Sequence, residues 1–204
     1  MISDLIQTID TLTSEEVTRV LELLDTEHKD EWQPATIFGM TPTQGGEVDK
    51  SIRSNERLCL GDRTEAARIM HEALNRALLV YRDTLGLIHH SLVRFPVPGT
   101  VNTMCHRERI QILRYQKGQH YSWHHDQATD RNVNEYFRTI SMVLYLTEDF
   151  EGGRTVFPHR AYKPKAGQCL VFPSNWCFPH ECDELISGTK IVAVTWYNSQ
   201  YNFG

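Results

Sequence analysis

The sequence has no uninterrupted apolar run longer than five residues, such as 77–81, whereas a membrane-spanning helix needs about 20. No transmembrane segment is expected. The first ten residues, MISDLIQTID, lack both a basic stretch and a long apolar stretch, so no secretory signal peptide is expected. Basic residues are not in excess: 21 Lys and Arg stand against 26 Asp and Glu, for a net charge of −5. That balance argues against a broad phosphate-binding surface and a nucleic-acid partner. Cysteines are few and odd in number, at Cys59, Cys105, Cys169, Cys177 and Cys182. An odd count fits poorly with a disulfide framework, and a reducing, cytoplasmic location is the simpler expectation. Internal repeats and low-complexity tracts are missing too. Neither the 40% hydrophobic nor the 23% charged fraction is extreme, so disorder is not expected. A chain of 204 residues can bury a core without disulfides or a structural metal, and one domain over 1–204 is the expectation.

What is present falls into two halves. Residues 1–108 read as a helical and loop support region, and 109–200 as strands. Thr13 and Glu16 have capping-box spacing, and Val17, Val20, Leu21 and Leu24 follow at helical spacing. Residues 62–64 can start a second helix and Gly86 can end it. Between them Ala67, Met70, Ala73, Leu74, Ala77, Leu78 and Tyr81 make an apolar stripe. Residues 32–55 are rich in Gly, Pro, Thr and charge and read as an irregular or hairpin region. From about 109 onward short strands are predicted at 111–115, 121–125, 139–146, 168–172 and 190–197, separated by glycine-bearing turns. The expected class is α+β, with the strands closing into a double-stranded β-helix, or jelly roll, buttressed by the N-terminal helices.

The chemistry concentrates at His124-His125-Asp126. On a strand, residues i and i+2 share a face, so His124 and Asp126 project together. They supply two members of a two-histidine, one-carboxylate set, which leaves open positions on Fe(II). His180, 54 residues after Asp126, is the best third ligand, because a jelly roll can return its strand against the first. The cluster Cys177, His180 and Cys182 raises zinc as a competitor, but a structural zinc site needs four ligands and no C-x-x-C pair is present. Lys190 opens the run 191–196, which is apolar on both faces and so reads as a central strand. Its ammonium either snorkels to solvent or meets an anion.

These motifs together resemble the Fe(II)/2-oxoglutarate-dependent dioxygenases, specifically the prolyl 4-hydroxylase-like branch. Tyr115, Gly118, Tyr121, His124 and Asp126 are similar to that branch's first metal motif. Residues 138–146 resemble its next strand, 151–158 its Gly-Gly-x-Thr-x-Phe turn, and 163–173 the strand after it. His180, Gly188 and Lys190 complete the pattern. The match spans 111–198, somewhat under half the chain. The resemblance implies that His124, Asp126 and His180 hold Fe(II), and that Lys190 pairs with the C5 carboxylate of 2-oxoglutarate. Tyr145 and Tyr115 would line that co-substrate's pocket and Arg138 would contact substrate, while Trp196 and Trp176, outside the resemblance, are candidates for the mouth of the site, with ordinary packing as the alternative. It further implies use of O2, release of succinate and CO2, an ascorbate requirement and hydroxylation of a prolyl residue in a protein or peptide. Lys190 resembles the collagen-type and plant-type enzymes, where the hypoxia-type enzymes have arginine. Arg154 departs from the acidic or small residue common in the Gly-Gly-x-Thr turn, which leaves the substrate open. Other side chains, free amino acids and small molecules remain alternative substrates, and a non-catalytic binding module is the reading from another class. The segments 44–55 and 128–136 are expected to fold over the substrate. Oligomeric state is not legible.

Overall fold

A computed structural model describes residues 2–37, 46–94, 105–127 and 136–200. Two α-helices are described, α1 (Ser14–Glu27) and α2 (Glu65–Ile88). The described strands, in chain order, are β1 (Gln7–Asp10), β2 (Gln33–Pro34), β3 (Glu56–Cys59), β4 (Cys105–Arg107), β5 (Gln111–Tyr115), β6 (Tyr121–His124) and β7 (Tyr136–Tyr145). They continue as β8 (Phe150–Gly152), β9 (Thr155–Phe157), β10 (Arg160–Tyr162), β11 (Gln168–Pro173), β12 (His180–Cys182), β13 (Leu185–Gly188) and β14 (Lys190–Gln200).

The larger sheet runs β1-β11-β7-β14-β5-β3-β2, with β4 also paired to β14. A four-stranded sheet runs β10-β9-β12-β6, and β13 pairs with β8. All pairings are antiparallel. This is the jelly roll expected from the strand pattern.

Alternation along the central strands divides the core in two. Ile112, Met142, Leu144 and Ala193 face the helices and pack with Val20, Leu24, Met70, Leu74 and Leu78. Their neighbours Leu113, Tyr115, Tyr145, Val192 and Val194 face the interior of the roll, with Phe150 and Leu185. A strand buried on both faces reads as an unbroken apolar run, which is why 191–196 looks central and is central. Each large apolar side chain so buried contributes roughly 1.5–3 kcal/mol.

α1 starts where the capping box placed it, with Glu16 N–H donating to Thr13 Oγ1 and Thr13 N–H donating to Glu16 Oε2. α2 starts at its Thr64 cap, but Gly86 does not end it. The helix continues to Ile88, because Gly86 does not adopt the positive φ of a glycine stop. Four strands in the support region, β1, β2, β3 and β4, were not expected. β1, at the sheet edge, and β3, between β5 and β2, are short and polar, each with a single buried apolar residue, Ile9 and Leu58. The five strands predicted from 111 onward are present, with β7 and β14 longer than expected.

Of the 44–55 segment, 46–55 is described. It is anchored rather than free: Glu47 bridges Ile37, and Arg53 bridges Tyr121 on β6. The segment 128–135 lies outside the described residues. Among the described residues no helix is long and apolar enough to cross a membrane. Cys59, Cys169, Cys177 and Cys182 are free thiols.

Candidate active site

β6 and β12 are antiparallel neighbours, and His124 lies directly opposite His180 in the register. Opposed residues on such strands hold their Cβ atoms about 5 Å apart, which closes the sequence gap between the two histidines. Asp126 follows β6 by two residues and turns its carboxylate between them. Asp126 Oδ1 is 3.7 Å from His124 Nε2, and Oδ2 is 3.7 Å from His180 Nε2. One ligand atom from each of the three lies within 4.8 Å of the others.

The surroundings fix each group's orientation and charge. His124 Nδ1 donates to the carbonyl of Ser122 at 2.8 Å, and His180 Nδ1 to that of Phe178 at 3.1 Å. A carbonyl can only accept, so both rings donate from Nδ1, which turns each Nε2 toward Asp126. His124 stacks on Tyr121 at 3.7 Å, and His180 packs against Phe157 and Phe172. Burial and the neighbouring His180 push the His124 pKa down to about 4, against the pull of Asp126. It is therefore a neutral donor at physiological pH. Burial opposes the Asp126 charge, but His180, His124, the Ser141 hydroxyl and Trp196 outweigh it and hold the carboxyl below its usual range. Ser141 on β7 donates to Asp126 Oδ2 at 2.7 Å and is itself 2.7 Å from the Ser174 hydroxyl. Two imidazoles and one carboxylate suit a divalent first-row metal. The donor set fits Fe(II).

The three residues line a cavity of about 340 Å³ between the sheets. Lys190, at the start of β14, lines the same cavity and is 2% exposed. Its Nζ donates to the Gly153 carbonyl at 2.7 Å and to Cys182 Sγ at 3.2 Å. Among the described residues it has no carboxylate partner. Burial pulls its pKa down, but Cys182 and Tyr145 outweigh burial and the net direction is up, so it is an ammonium. A buried cation held by a carbonyl and a sulfur and facing a cavity has the charge to complement an anion. The approach of Lys190 depends on the Gly-Gly turn. Gly153 has φ +59°, and a Cβ there would meet Leu185 Cδ1 at 2.7 Å and Lys190 Cδ at 3.4 Å.

Residues 110–198 match the profile of the 2OG-Fe(II) oxygenase superfamily. The chain is 47% identical over 113 residues to prolyl 4-hydroxylase 1 of Arabidopsis thaliana, covering 44% of this chain and 40% of that protein. It is 28% identical over 161 residues to a PKHD-type hydroxylase of Idiomarina loihiensis, covering 76% and 63%. The chain spans about half the length of the curated relatives it matches. Its fold resembles that of a prolyl hydroxylase from Trichoplax adhaerens, solved with a hypoxia inducible factor peptide fragment. The TM-score is 0.67 at 17% identity, covering 97% of this chain and 84% of that one.

The other sequence candidates divide. Tyr115 lines the cavity and is buried, 5.1 Å from ring centroid to Lys190 Nζ. Tyr145 is equally close to Lys190 but is fully buried outside the cavity lining. Its hydroxyl pairs with that of Thr155, which does line it. Burial pushes both phenols up, so both are neutral. Arg138 and Trp196 also line the cavity. The Arg138 guanidinium lies 3.7 Å over the Trp196 ring and forms a two-pronged pair with Glu108, both prongs at 2.6 Å. Trp176 is 72% exposed and outside the lining. Cys177 and Cys182 are not part of the three-ligand group; Cys182 faces Lys190 instead. Sequence reasoning missed Ser141, Thr155, Cys182, Glu108 and Arg53. Small polar residues on strands carry no spacing signal, and only the sheet register brings them to the site.

Proposed function

We propose that this chain is an Fe(II)- and 2-oxoglutarate-dependent dioxygenase that hydroxylates a prolyl residue of a protein or peptide, releasing succinate and CO2. The observation that carries the reading is one cavity lined both by the His124, Asp126 and His180 group and by the unpaired ammonium of Lys190. A 2-oxo acid with a second carboxylate has the matching chemistry: one end binds metal, the other pairs with a cation.

In this reading His124, Asp126 and His180 hold Fe(II). The bound metal supplies oxygen activation, coupling decarboxylation of 2-oxoglutarate to oxygen insertion into a C–H bond. Lys190 receives the far carboxylate, with Thr155 and Tyr115 beside it and Tyr145 orienting Thr155. The aliphatic wall of Leu113, Val192 and Val194 excludes water around the co-substrate. Arg138, pinned by Glu108 and stacked on Trp196, offers a rigid planar surface to a substrate. No further acid or base is needed. A prolyl substrate fits the prolyl 4-hydroxylase names among the relatives, and a peptide substrate fits the peptide named with the Trichoplax enzyme. The PKHD-type relative aligns over more of this chain than the Arabidopsis enzyme does. It favours a second reading, the same oxidation on another side chain, amino acid or small molecule. The free thiols accord with a cytoplasmic location.

The test is incubation with Fe(II), 2-oxoglutarate, ascorbate and a panel of proline-containing peptides, followed by mass spectrometry. One oxygen mapped to proline, absent in the His124→Ala variant, is the expected result. Oxygen on another residue or on a metabolite keeps the dioxygenase and discards the prolyl substrate. Omitting ascorbate tests that requirement in the same assay.

A further inference from the structure

The arginines around this site are matched with carboxylates, with two exceptions. Arg114 pairs with Glu56 at 2.9 Å, Arg138 with Glu108 at 2.6 Å, and Arg154 with Asp183 at 2.7 Å. Arg53 and Arg57 line the cavity and have no carboxylate within ion-pair distance among the described residues.

Both are held by fixed backbone. Ser122 N–H donates to the Ile52 carbonyl at 2.8 Å, and Ser54 N–H to that of His120 at 3.1 Å. The stretch 52–54 thus runs along β6, the strand that carries His124. Arg53 Nε donates to Asn55 Oδ1 at 3.0 Å and Nη1 to the Thr36 carbonyl at 3.1 Å. Both acceptors are neutral, so its charge is oriented but not cancelled. The guanidinium sits 4.5 Å over the Tyr121 ring, which stacks on His124. Arg57 on β3 lies opposite Leu113 on β5. Opposed residues share a face, which puts Arg57 on the cavity side while Leu58 and Ile112 enter the helix-covered core. The carboxylates lining the cavity are Asp126, in the ligand group, and Glu181, on β12 of the facing sheet.

We infer that the Arg53 and Arg57 wall is a recognition site for side-chain carboxylates of the substrate, so that the peptide taken by this chain carries Asp or Glu within a few residues of the oxidised position. The inference rests on the peptide-substrate reading above. The chain's net charge of −5 repels an acidic peptide at long range, so selection falls to this local wall, where guanidinium groups can grip carboxylates in two-pronged fashion.

The test uses rhodamine-labelled alanine-rich peptides with one central proline, carrying Glu, Gln or Lys two residues to either side. Binding to the Mn(II)- and 2-oxoglutarate-loaded protein is read by fluorescence anisotropy. The Glu peptide is expected to bind about tenfold tighter than the Gln peptide, with the difference shrinking as salt rises. The preference should fall below about twofold in the Arg53→Gln/Arg57→Gln double variant. Arg57→Gln alone, which leaves the Arg53–Tyr121 contact in place, should reduce it partway. Equal binding of Glu and Gln peptides, tighter binding of the Lys peptide, a preference that survives both variants, or no peptide binding would each overturn the inference. A single-stranded oligonucleotide that outcompetes the Glu peptide would also overturn it, assigning the wall to nucleic acid. Repeating the series with Fe(II) and O2 separates the two readings. Charge preference without oxygen on proline removes the prolyl substrate and keeps the carboxylate site; oxygen on proline without charge preference does the reverse.

Discussion

Lys190→Met removes the charge at the cavity wall while keeping an unbranched, buried side chain. Lys190 is 2% exposed and donates to one carbonyl and one sulfur. Losing hydrogen bonds from a charged donor costs about 1.5–3 kcal/mol each. Removing a buried cation recovers a desolvation cost of several kcal/mol. The two nearly cancel, so the Tm of the ligand-free variant should move by less than about 5 °C. Binding of 2-oxoglutarate has no such compensation. Removing one partner of a desolvated charge pair costs roughly 2–5 kcal/mol, or about 30-fold to several thousandfold in Kd. Calorimetric titration of 2-oxoglutarate into Mn(II)-loaded wild type and variant measures this directly. A variant that keeps its fold and binds 2-oxoglutarate within threefold of wild type would refute the assignment of Lys190.

Ser141→Ala should weaken divalent-metal binding about 10–100-fold, because its hydroxyl is the 2.7 Å donor that orients Asp126; an unchanged Mn(II) affinity would contradict this. Gly152→Ala should lower the Tm by at least about 5 °C, since its φ is +69° and a Cβ would lie 2.1 Å from the Glu184 carbonyl. Gly118→Ala, at φ +81° with nothing within 4 Å, should cost only about 1–2 kcal/mol, and equal losses at both glycines would contradict the packing argument. The metal-free protein should lose stability as pH falls from the unfolded histidine pKa near 6.5 to the folded His124 value of about 4. In that window the unfolded chain binds a proton that the folded chain refuses, a loss on the order of 3 kcal/mol. Above pH 6.5 the effect vanishes. Urea unfolding across pH checks it, and His124→Gln should flatten the curve.

The strand half of this fold was legible because its signals are strong. The run at β14 is apolar on both faces, the glycine turns sit at positive φ, and the α2 stripe repeats at helical spacing over its length. The metal group was legible because His124 and Asp126 are local and the register of β6 with β12 is that of a jelly roll. What could not be read is set by register or by edges. β1, at the sheet edge, and β3, between β5 and β2, are short polar segments whose pairing comes from the sheet they join. Gly86 looks like a stop but keeps helical geometry. The pairing of the Tyr145 hydroxyl with Thr155 is likewise set by tertiary placement. Arg138 is not a free cation but one half of a pair with Glu108, thirty positions away. Arg53 lies in the stretch 32–55 that composition alone marks as irregular and Arg57 on the unpredicted β3, and their meeting at one cavity is a tertiary fact.

The central claim is that His124, Asp126 and His180 hold the metal at which 2-oxoglutarate is consumed. Succinate formation from 2-oxoglutarate in air, followed by proton NMR with and without Fe(II), tests it most directly when wild type is run beside His180→Ala. The account predicts Fe(II)-dependent succinate from wild type and none above background from the folded variant. Equal succinate from both, or none from wild type with Fe(II) bound, would contradict it.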